Sequence, residues 1–523
     1  MIKVHGITVF LQALGAGLLV GAAALVVALL WPIADPPWLA HSGPVALVDV
    51  TIIDVEHGES LAGQTVVLRD GHIERVGPAS AEALPAGVRI LDARGQFLIP
   101  GLWDMHTHSI KRSPQFHHAL YIANGVTSVR DMSGCLSEDD SYWACPHDRR
   151  RWTNEAVQGQ RVSPRYPLQS SYQTNGGNEV PEGLPAFFRL ESLEHAEELA
   201  AFYRGQGVDF IKTYSELAPQ QFAWIARSAR EQGLGIAGHR PVKVSLETAL
   251  AMGQRSFEHG RLFLFECFGG AQAFRSAPDP LAAYNATLRL RLLTERDEAA
   301  CAQHMRNMAE AGAWWVPTLT TLRMAVTAAQ PAAHQDPRLA DIPWLRRKLL
   351  WGPDARRAAA EPLANDGRSI HAHLFDLASR DVGEAHAAGV RILTGTDTSD
   401  TLVFPGSSLH GELQMFVDAG LTPAQALRAA TIAAAEFAGA QTTHGTIAPG
   451  KVADLVLLEA NPLADIANTR RIAGVFIAGH HHDARSLQAL RQFARAQASS
   501  VRANLRLLWD MLASPLMRRQ LAD

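Results

Sequence analysis

Six residues have the types and order needed to hold divalent metal. His106 and His108 stand two apart in Leu102-Trp103-Asp104-Met105-His106-Thr107-His108. On an extended strand such residues project to the same side, so both imidazoles can grip one cation. H-x-H alone is a weak signal in a chain with 22 histidines. Four further groups follow apolar runs: Lys212 after Phe210-Ile211, His239 after Ile236-Ala237-Gly238, His259 after Phe257-Glu258, and Asp397 after Thr394-Gly395-Thr396. An ammonium binds no metal. Reaction of Lys212 with carbon dioxide gives a carbamate, an anionic ligand whose two oxygens can bridge two cations. The plainer reading of a lysine there is a buried salt bridge. Taken singly, His239 and His259 read as satisfied core histidines. Asp397 could ligate metal and accept a proton from bound water. Only six lysines occur in 523 residues, so Lys212 at an apolar strand end is not surface filler.

These groups need a scaffold that presents strand ends side by side. The middle of the chain supplies eight short apolar runs: Leu102–Met105, Val126–Val129, Val162–Leu168, Phe210–Lys212, Leu234–Ala237, Ser256–Glu258, Trp314–Leu319 and Arg391–Thr394. Helical patterns such as Pro219–Gln232 and Val244–Met252 separate several of them. This predicts an α/β protein built on a (β/α)8 TIM barrel, where reactive residues sit at the C-terminal ends of strands. Long insertions, Leu262–Gly312 and Arg323–Gly389, are expected to roof the pocket. β-branched alternating runs come before the barrel (Val45–Val55, Gln64–Arg69, His72–Val76, Val88–Asp92) and after it (Gly445–Ile447, Asp454–Leu458, Gly474–Ala478). They are expected to pair into a small composite β-sandwich, antiparallel in its first part. The expected division is an apolar segment 1–31, a linker 32–44, sandwich residues 45–98, the barrel 99–438, returning sandwich residues 439–484 and a helical tail 485–523.

With the order H-x-H, Lys, His, His, Asp in place, the chain resembles the amidohydrolase superfamily over about residues 45–477. The supporting motifs are Ile99-Pro100-Gly101-Leu102-Trp103-Asp104-Met105-His106-Thr107-His108, Gly125-Val126-Thr127-Ser128-Val129-Arg130-Asp131, Leu421-Thr422-Pro423-Ala424-Gln425-Ala426-Leu427 and Gly450-Lys451-Val452-Ala453-Asp454-Leu455. Lys212-Thr213-Tyr214 is similar to a pattern of the prolidase-like and imidazolonepropionase-like branch. The resemblance implies that His106, His108 and Asp397 hold one metal, that His239 and His259 hold a second, and that carboxylated Lys212 bridges them. It implies two divalent ions, zinc by preference, and a shared hydroxide as nucleophile. Asp397 and Lys212 would be the catalytic residues, and Asp397 would carry the proton to the leaving group. Tyr214 and Arg240, beside metal ligands, would bind the substrate carbonyl or a carboxylate. Wall packing and a salt bridge are the plainer readings of those two. The implied reaction is hydrolysis of a non-aromatic C–N amide bond in a small substrate, such as a dipeptide or N-acyl amino acid. Lactone, ester or cyclic amide hydrolysis is the alternative, and a non-catalytic binding protein on the same fold is a third. His410 and Glu412 also could face the pocket.

Location is read from the N-terminus and the cysteines. Ile7–Trp31 carries no charge and would make a helix about 37 Å long, enough to cross a hydrocarbon core of about 30 Å. Lys3 precedes it and no Lys or Arg follows until Arg69, which would place the body outside the cytoplasm. A retained transmembrane anchor and a cleaved signal compete, and both imply an extracytoplasmic, oxidising compartment. Cys135 and Cys145, ten apart in one polar segment, are expected to form a disulfide. Cys267 and Cys301 are the remaining pair. The tail, residues 485–523, carries seven arginines against two aspartates. It either packs on the body or meets an anionic membrane surface. A formal charge of −4 excludes a generally basic nucleic-acid binder, and the sequence does not decide between a monomer and a homo-oligomer.

Overall fold

The computed structural model of the protein describes residues 16–17, 21, 31–78, 84–177 and 180–522. Five strands precede the barrel: β1 (Val45–Asp54), β2 (Glu59–Arg69), β3 (His72–Pro78), β4 (Arg89–Asp92) and β5 (Phe97–Pro100). Seven lie in it: β6 (Leu102–Thr107), β7 (Val126–Asp131), β8 (Phe210–Thr213), β9 (Gly235–Gly238), β10 (Gln254–Glu258), β11 (Trp314–Val316) and β12 (Arg391–Ile392). Three follow: β13 (Leu455–Leu458), β14 (Ile472–Ile477) and β15 (His480–Asp483).

The flanking strands form one eight-stranded sheet in the order β15-β14-β13-β5-β1-β2-β3, with β4 also paired to β1. β13 enters antiparallel to β5, with Val456 opposite Ile99, so the returning chain is stitched to the segment that leads into the barrel. Val45, Leu47, Val66, Leu98, Leu455 and Phe476 make its private core. The β-rich readings before and after the barrel thus join in one sheet. Three details differ from expectation. β1 pairs in parallel with β4 and β5, so the first part is not purely antiparallel. The run Gly445–Ile447 forms no strand. β5 and β15 were not predicted; β5 lies in the Phe97–Pro100 approach to the H-x-H motif, and β15 is the histidine-rich His480–Asp483.

The barrel runs β8-β9-β10-β11-β12 as one parallel sheet, with β6 and β7 as another. Single bridges close the ring. Ser128 pairs with Arg165, Ser170 with Phe210, Thr174 with Thr213 and Thr107 with Thr398, all parallel. The predicted third strand, Val162–Leu168, is therefore present as an irregular segment rather than a regular strand. The eighth strand is regular only over Arg391–Ile392. Beyond it, backbone bonds from Met105 N to Thr394 O and Asp397 N to His106 O hold the chain against β6. Gly395 permits that approach, because a Cβ there would lie 2.5 Å from Val316 Cγ1 and 2.9 Å from His106 Cβ.

One part of the predicted architecture is corrected. Among the described residues no helix is long and apolar enough to cross a membrane. The Ile7–Trp31 segment on which the transmembrane helix was expected lies outside the described residues, apart from positions 16, 17, 21 and 31.

The tail forms three helices, Ala484–Ser499, Val501–Ala513 and Pro515–Ala522. The first buries Leu487, Leu490 and Ala494 in the main core. The second packs Ala503, Leu507 and Met511 against Ile110, Phe116, Tyr142 and Leu345. Polar ties fix the contact. Arg112 Nε donates to Asp510 at 2.6 Å, Ser514 Oγ bonds Asp140 at 2.8 Å, and Leu345 N donates to Asn504 Oδ1 at 3.0 Å. Packing on the body, the first of the two expectations for the tail, is what the structure shows for these helices.

Candidate metal centre

All six sequence-selected ligand residues meet at the C-terminal mouth of the barrel. His106, next to last in β6, is fully buried and has its Nε2 3.4 Å from Asp397 Oδ1. His108 Nε2 lies 2.8 Å from the same oxygen. His259 Nδ1 is 3.7 Å from Asp397 Oδ2, and its Nε2 faces His239 Nε2 at 2.8 Å. Ligand atoms of His106, His259 and Asp397 lie within 4.8 Å of one another. Lys212, 1% exposed, belongs to β8 and reaches the same cavity as His108, His239, His259 and Asp397.

Each imidazole is held from behind. His106 Nδ1 bonds Glu258 Oε2 at 2.8 Å, and His108 Nδ1 bonds Ser133 Oγ at 2.6 Å. His239 Nδ1 bonds Ser215 Oγ, and His259 Nδ1 bonds Thr318 Oγ1, both at 2.8 Å. With Nδ1 engaged, Nε2 is the ring nitrogen left to face the centre in all four. Such outer partners fix the orientation of metal-binding histidines. The buried His106 Nε2 finds no hydrogen-bond partner, the mark of a donor set built for something other than protein.

Electrostatics favours the ligating forms. Burial, then repulsion from His259 and Lys212, holds His239 far below the ordinary imidazole value. Burial also brings His259 down to about 3 and lowers His108. Neutral imidazole is the form that binds metal. Burial pushes the Asp397 carboxyl up, but His106, His108 and His259 outweigh it and hold it well below the usual carboxylate range. Two of these residues sit in the left-handed region, His259 at φ 72° and Asp397 at φ 64°. Non-glycine residues there cost roughly 1–3 kcal/mol, a strain that accumulates at functional sites.

Several supporting residues escaped the sequence reading. Glu258 is fully buried and receives Arg130 Nη2 at 2.9 Å on each oxygen and Ser256 Oγ at 2.6 Å. Arg130 and His106 overcome the effect of burial and hold Glu258 down to about 2. Asp104, also fully buried, accepts from Thr396 Oγ1 at 2.6 Å and Thr396 N at 2.9 Å, pinning the Asp397 turn to β6. Asp104, Arg130 and Glu258 lay inside or beside the quoted motifs; inward-facing charges on barrel strands were the available signal.

The other selected residues divide. Tyr214 lines the cavity and stacks on His239 with ring centroids 4.1 Å apart. Arg240 is not among the cavity-lining residues. It ion-pairs with Glu266 at 2.9 Å and donates to the Pro241 carbonyl, so the salt-bridge reading describes its placement. His410 bonds Thr469 and the Asn124 carbonyl, outside the metal cavity. Glu412 accepts from Leu319 N at 2.7 Å and Thr320 N at 2.9 Å, beside the Thr318 that orients His259. Cys135–Cys145 and Cys267–Cys301 are both disulfides, with Cα atoms 5.1 and 4.6 Å apart.

The cavity over the centre has a volume of about 430 Å³. Its outer walls come from Trp143, which precedes Cys145 in the disulfide loop, and from Arg346, Leu350, Trp351 and Asp354 of the second insertion. The first insertion, Leu262–Gly312, contributes no lining residue; Arg261 lies just before it.

Residues 97–481 match the family described as the Amidohydrolase family. The chain belongs to that family. It is 23% identical to an imidazolonepropionase of Chromobacterium violaceum over 462 residues, covering 79% of this chain and 90% of that protein. Matches to adenine deaminases are local: with the protein of Mesorhizobium japonicum the identity is 36% over 80 residues, 15% of this chain and 13% of the deaminase. Among solved structures, the bottromycin amidohydrolase superposes with a TM-score of 0.68 at 23% identity, covering 91% of this chain and 94% of that one. A prolidase-like protein of Bifidobacterium longum superposes with a TM-score of 0.57 at 24% identity, covering 86% and 99%. These structures share the fold. Family membership makes this chain one of a group of hydrolases that are generally metal-dependent, and the histidine–aspartate cluster is its candidate metal site.

Proposed function

We propose that the protein hydrolyses an amide C–N bond of a small substrate such as a dipeptide or N-acyl amino acid, using two divalent metals, most simply zinc. The observation that carries this reading is the approach of His106 and His108 Nε2 to one oxygen of Asp397, at 3.4 and 2.8 Å, with His259, His239 and Lys212 around the same cavity. His106, His108 and Asp397 would hold one ion, His239 and His259 the other, and Lys212 as its carbamate would bridge them. The ions would supply an activated water and polarise the carbonyl.

The chain's own residues do the rest. Asp397, held anionic by three histidines, is placed to take a proton from the attacking water and return it to the leaving nitrogen. Tyr214, stacked on His239 at the cavity wall, is placed to hydrogen-bond the substrate carbonyl. Trp143, Leu350 and Trp351 shield the reacting bond from bulk water. The relatives support this chemistry by class: their names include an amidohydrolase and a prolidase-like protein. Two disulfides support an extracytoplasmic setting, because such bonds persist in oxidising compartments. The domain division we propose is residues 45–98 with 439–484 for the flanking sheet, 99–438 for the barrel and 485–523 for the tail.

Lactone, ester and cyclic amide hydrolysis remain outcomes of the test. Zinc-loaded protein is offered dipeptides, N-acyl amino acids and lactones, and product release is followed. Turnover of the linear amides supports the reading; turnover of lactones alone replaces it.

A further inference from the structure

Two arginines line the metal cavity, and neither forms an ion pair within 4.0 Å among the described residues: Arg261 and Arg346. Arg346 is the more defined of the two. Its Nη2 donates to the Ser399 carbonyl at 2.6 Å, two residues beyond Asp397. Its Nη1 reaches the Tyr142 hydroxyl at 3.2 Å. Both partners are neutral oxygens, so the guanidinium is oriented without being neutralised. Its Nε is buried and makes no hydrogen bond.

The backbone behind it is fixed. Leu345 is anchored by Asn504 of the tail, and Tyr142 lies in the loop that the Cys135–Cys145 disulfide closes. The two acids that share the cavity with Asp397 do not replace a ligand. Asp354 is taken by Arg357 and by Thr401 Oγ1 at 2.9 Å. Asp400 accepts from Thr401 N at 2.7 Å and acts on Arg346 only from beyond ion-pair range. A guanidinium fixed by neutral oxygens at the wall of the metal cavity, with a second N–H left on each Nη, has the charge and donors that suit a carboxylate. Trp143 and Trp351, beside it, offer an apolar wall.

We propose that Arg346 determines specificity by binding a free carboxylate of the substrate, while the scissile amide lies over the metal centre and an apolar side chain lies against Trp143 and Trp351. The substrate class is therefore an acyl group joined to an amino acid whose α-carboxylate is free. This rests on the amide-hydrolase reading above. It excludes neutral lactones and C-terminally amidated peptides as good substrates.

The test compares acetate release from N-acetyl-L-phenylalanine and from N-acetyl-L-phenylalaninamide by the zinc-loaded full chain. The acid is expected to have kcat/KM about 10–100-fold higher, the range of a charge-assisted hydrogen-bond pair. R346Q should bring the two substrates within about 3-fold of each other by slowing the acid alone, and R346K should fall between. Zinc content and thermal unfolding are measured for each variant, and where R346Q does not fold, R346K decides. A wild-type ratio near one, or a variant that slows both substrates equally, overturns the proposal. If no linear amide is hydrolysed, the amide-hydrolase reading has failed; in that case, and wherever neither of these two compounds is turned over, binding of the same pair is measured by calorimetry. The acid should still bind at least 10-fold more tightly in the wild type, and R346Q should abolish that preference. A preference that survives R346Q would place the carboxylate elsewhere and overturn the proposal too.

Discussion

Replacing Glu258 with glutamine tests whether the metal centre depends on the buried groups behind it. The carboxylate receives four hydrogen bonds: one from His106 Nδ1 at 2.8 Å, two from Arg130 Nη2 at 2.9 Å and one from Ser256 at 2.6 Å. Glutamine keeps one acceptor oxygen and turns a second donor toward a guanidinium or an imidazole that is itself a donor. It also leaves Arg130 uncompensated, with both side chains fully buried. Breaking a buried ion pair by removing one partner costs about 3–5 kcal/mol. Loosening His106 should weaken zinc about 10–100-fold, the usual cost of losing an outer partner. Denaturant unfolding of the metal-free protein gives the first quantity and competition with a zinc chelator gives the second. The acid side carries a sign. Glu258 is held below its ordinary value, to about 2. Its contribution is complete above about pH 4.5 and is lost as pH falls toward 2, so this acid sensitivity should be missing in E258Q. A variant with wild-type stability and zinc affinity would refute the claim that His106 is oriented through Glu258.

Four further outcomes follow from particular contacts. Lys212→Ala should lose bound metal and amide hydrolysis together, measured by elemental analysis and turnover; normal turnover would remove Lys212 from the site. His304 bonds Glu247 at 2.5 Å, which raises the imidazole and lowers the carboxyl to about 2. Glu247's share is present above about pH 4.5 and His304's below about 6.5, so the stability lost in H304A should be greatest between those values and fade at higher pH; a pH-independent loss in unfolding experiments would contradict this. Replacing the Cys135–Cys145 or Cys267–Cys301 pair with serines should cost about 3 and about 4 kcal/mol respectively, from loops of 10 and 34 residues, and equal stability in denaturant would argue against the bonds. Glu412→Gln can accept from only one of Leu319 N and Thr320 N, so unfolding should come about 1–3 kcal/mol more easily, with His259 loosened through Thr318.

The strand-end positions of the candidate ligands were legible because period-two projection and apolar runs are local properties. Singly they read weakly, His239 and His259 as core histidines; it was the order of His106, His108, Lys212, His239, His259 and Asp397 along successive apolar runs that marked them. Asp397 was legible in identity but not in setting: a strand over Arg391–Thr394 was expected, yet regular pairing stops at Ile392 and the aspartate sits on a positive-φ turn pinned by Asp104. Arg240 shows the limit of adjacency. It follows His239 in sequence, but the chain turns and sends it to Glu266, a residue 26 positions on. Glu258 and Arg130 were not singled out, because their burial depends on which strands face each other across the barrel. Arg346 was hidden for a related reason: it reaches the cavity only through a long helical insertion held by the Asn504 contact.

Zinc-edge anomalous diffraction from crystals of the zinc-loaded chain addresses the central claim most directly. Two peaks are expected, one among His106, His108 and Asp397 and one beside His239 and His259, with continuous density extending from Lys212 Nζ toward both. A well-ordered chain with no anomalous signal among these side chains would contradict the account.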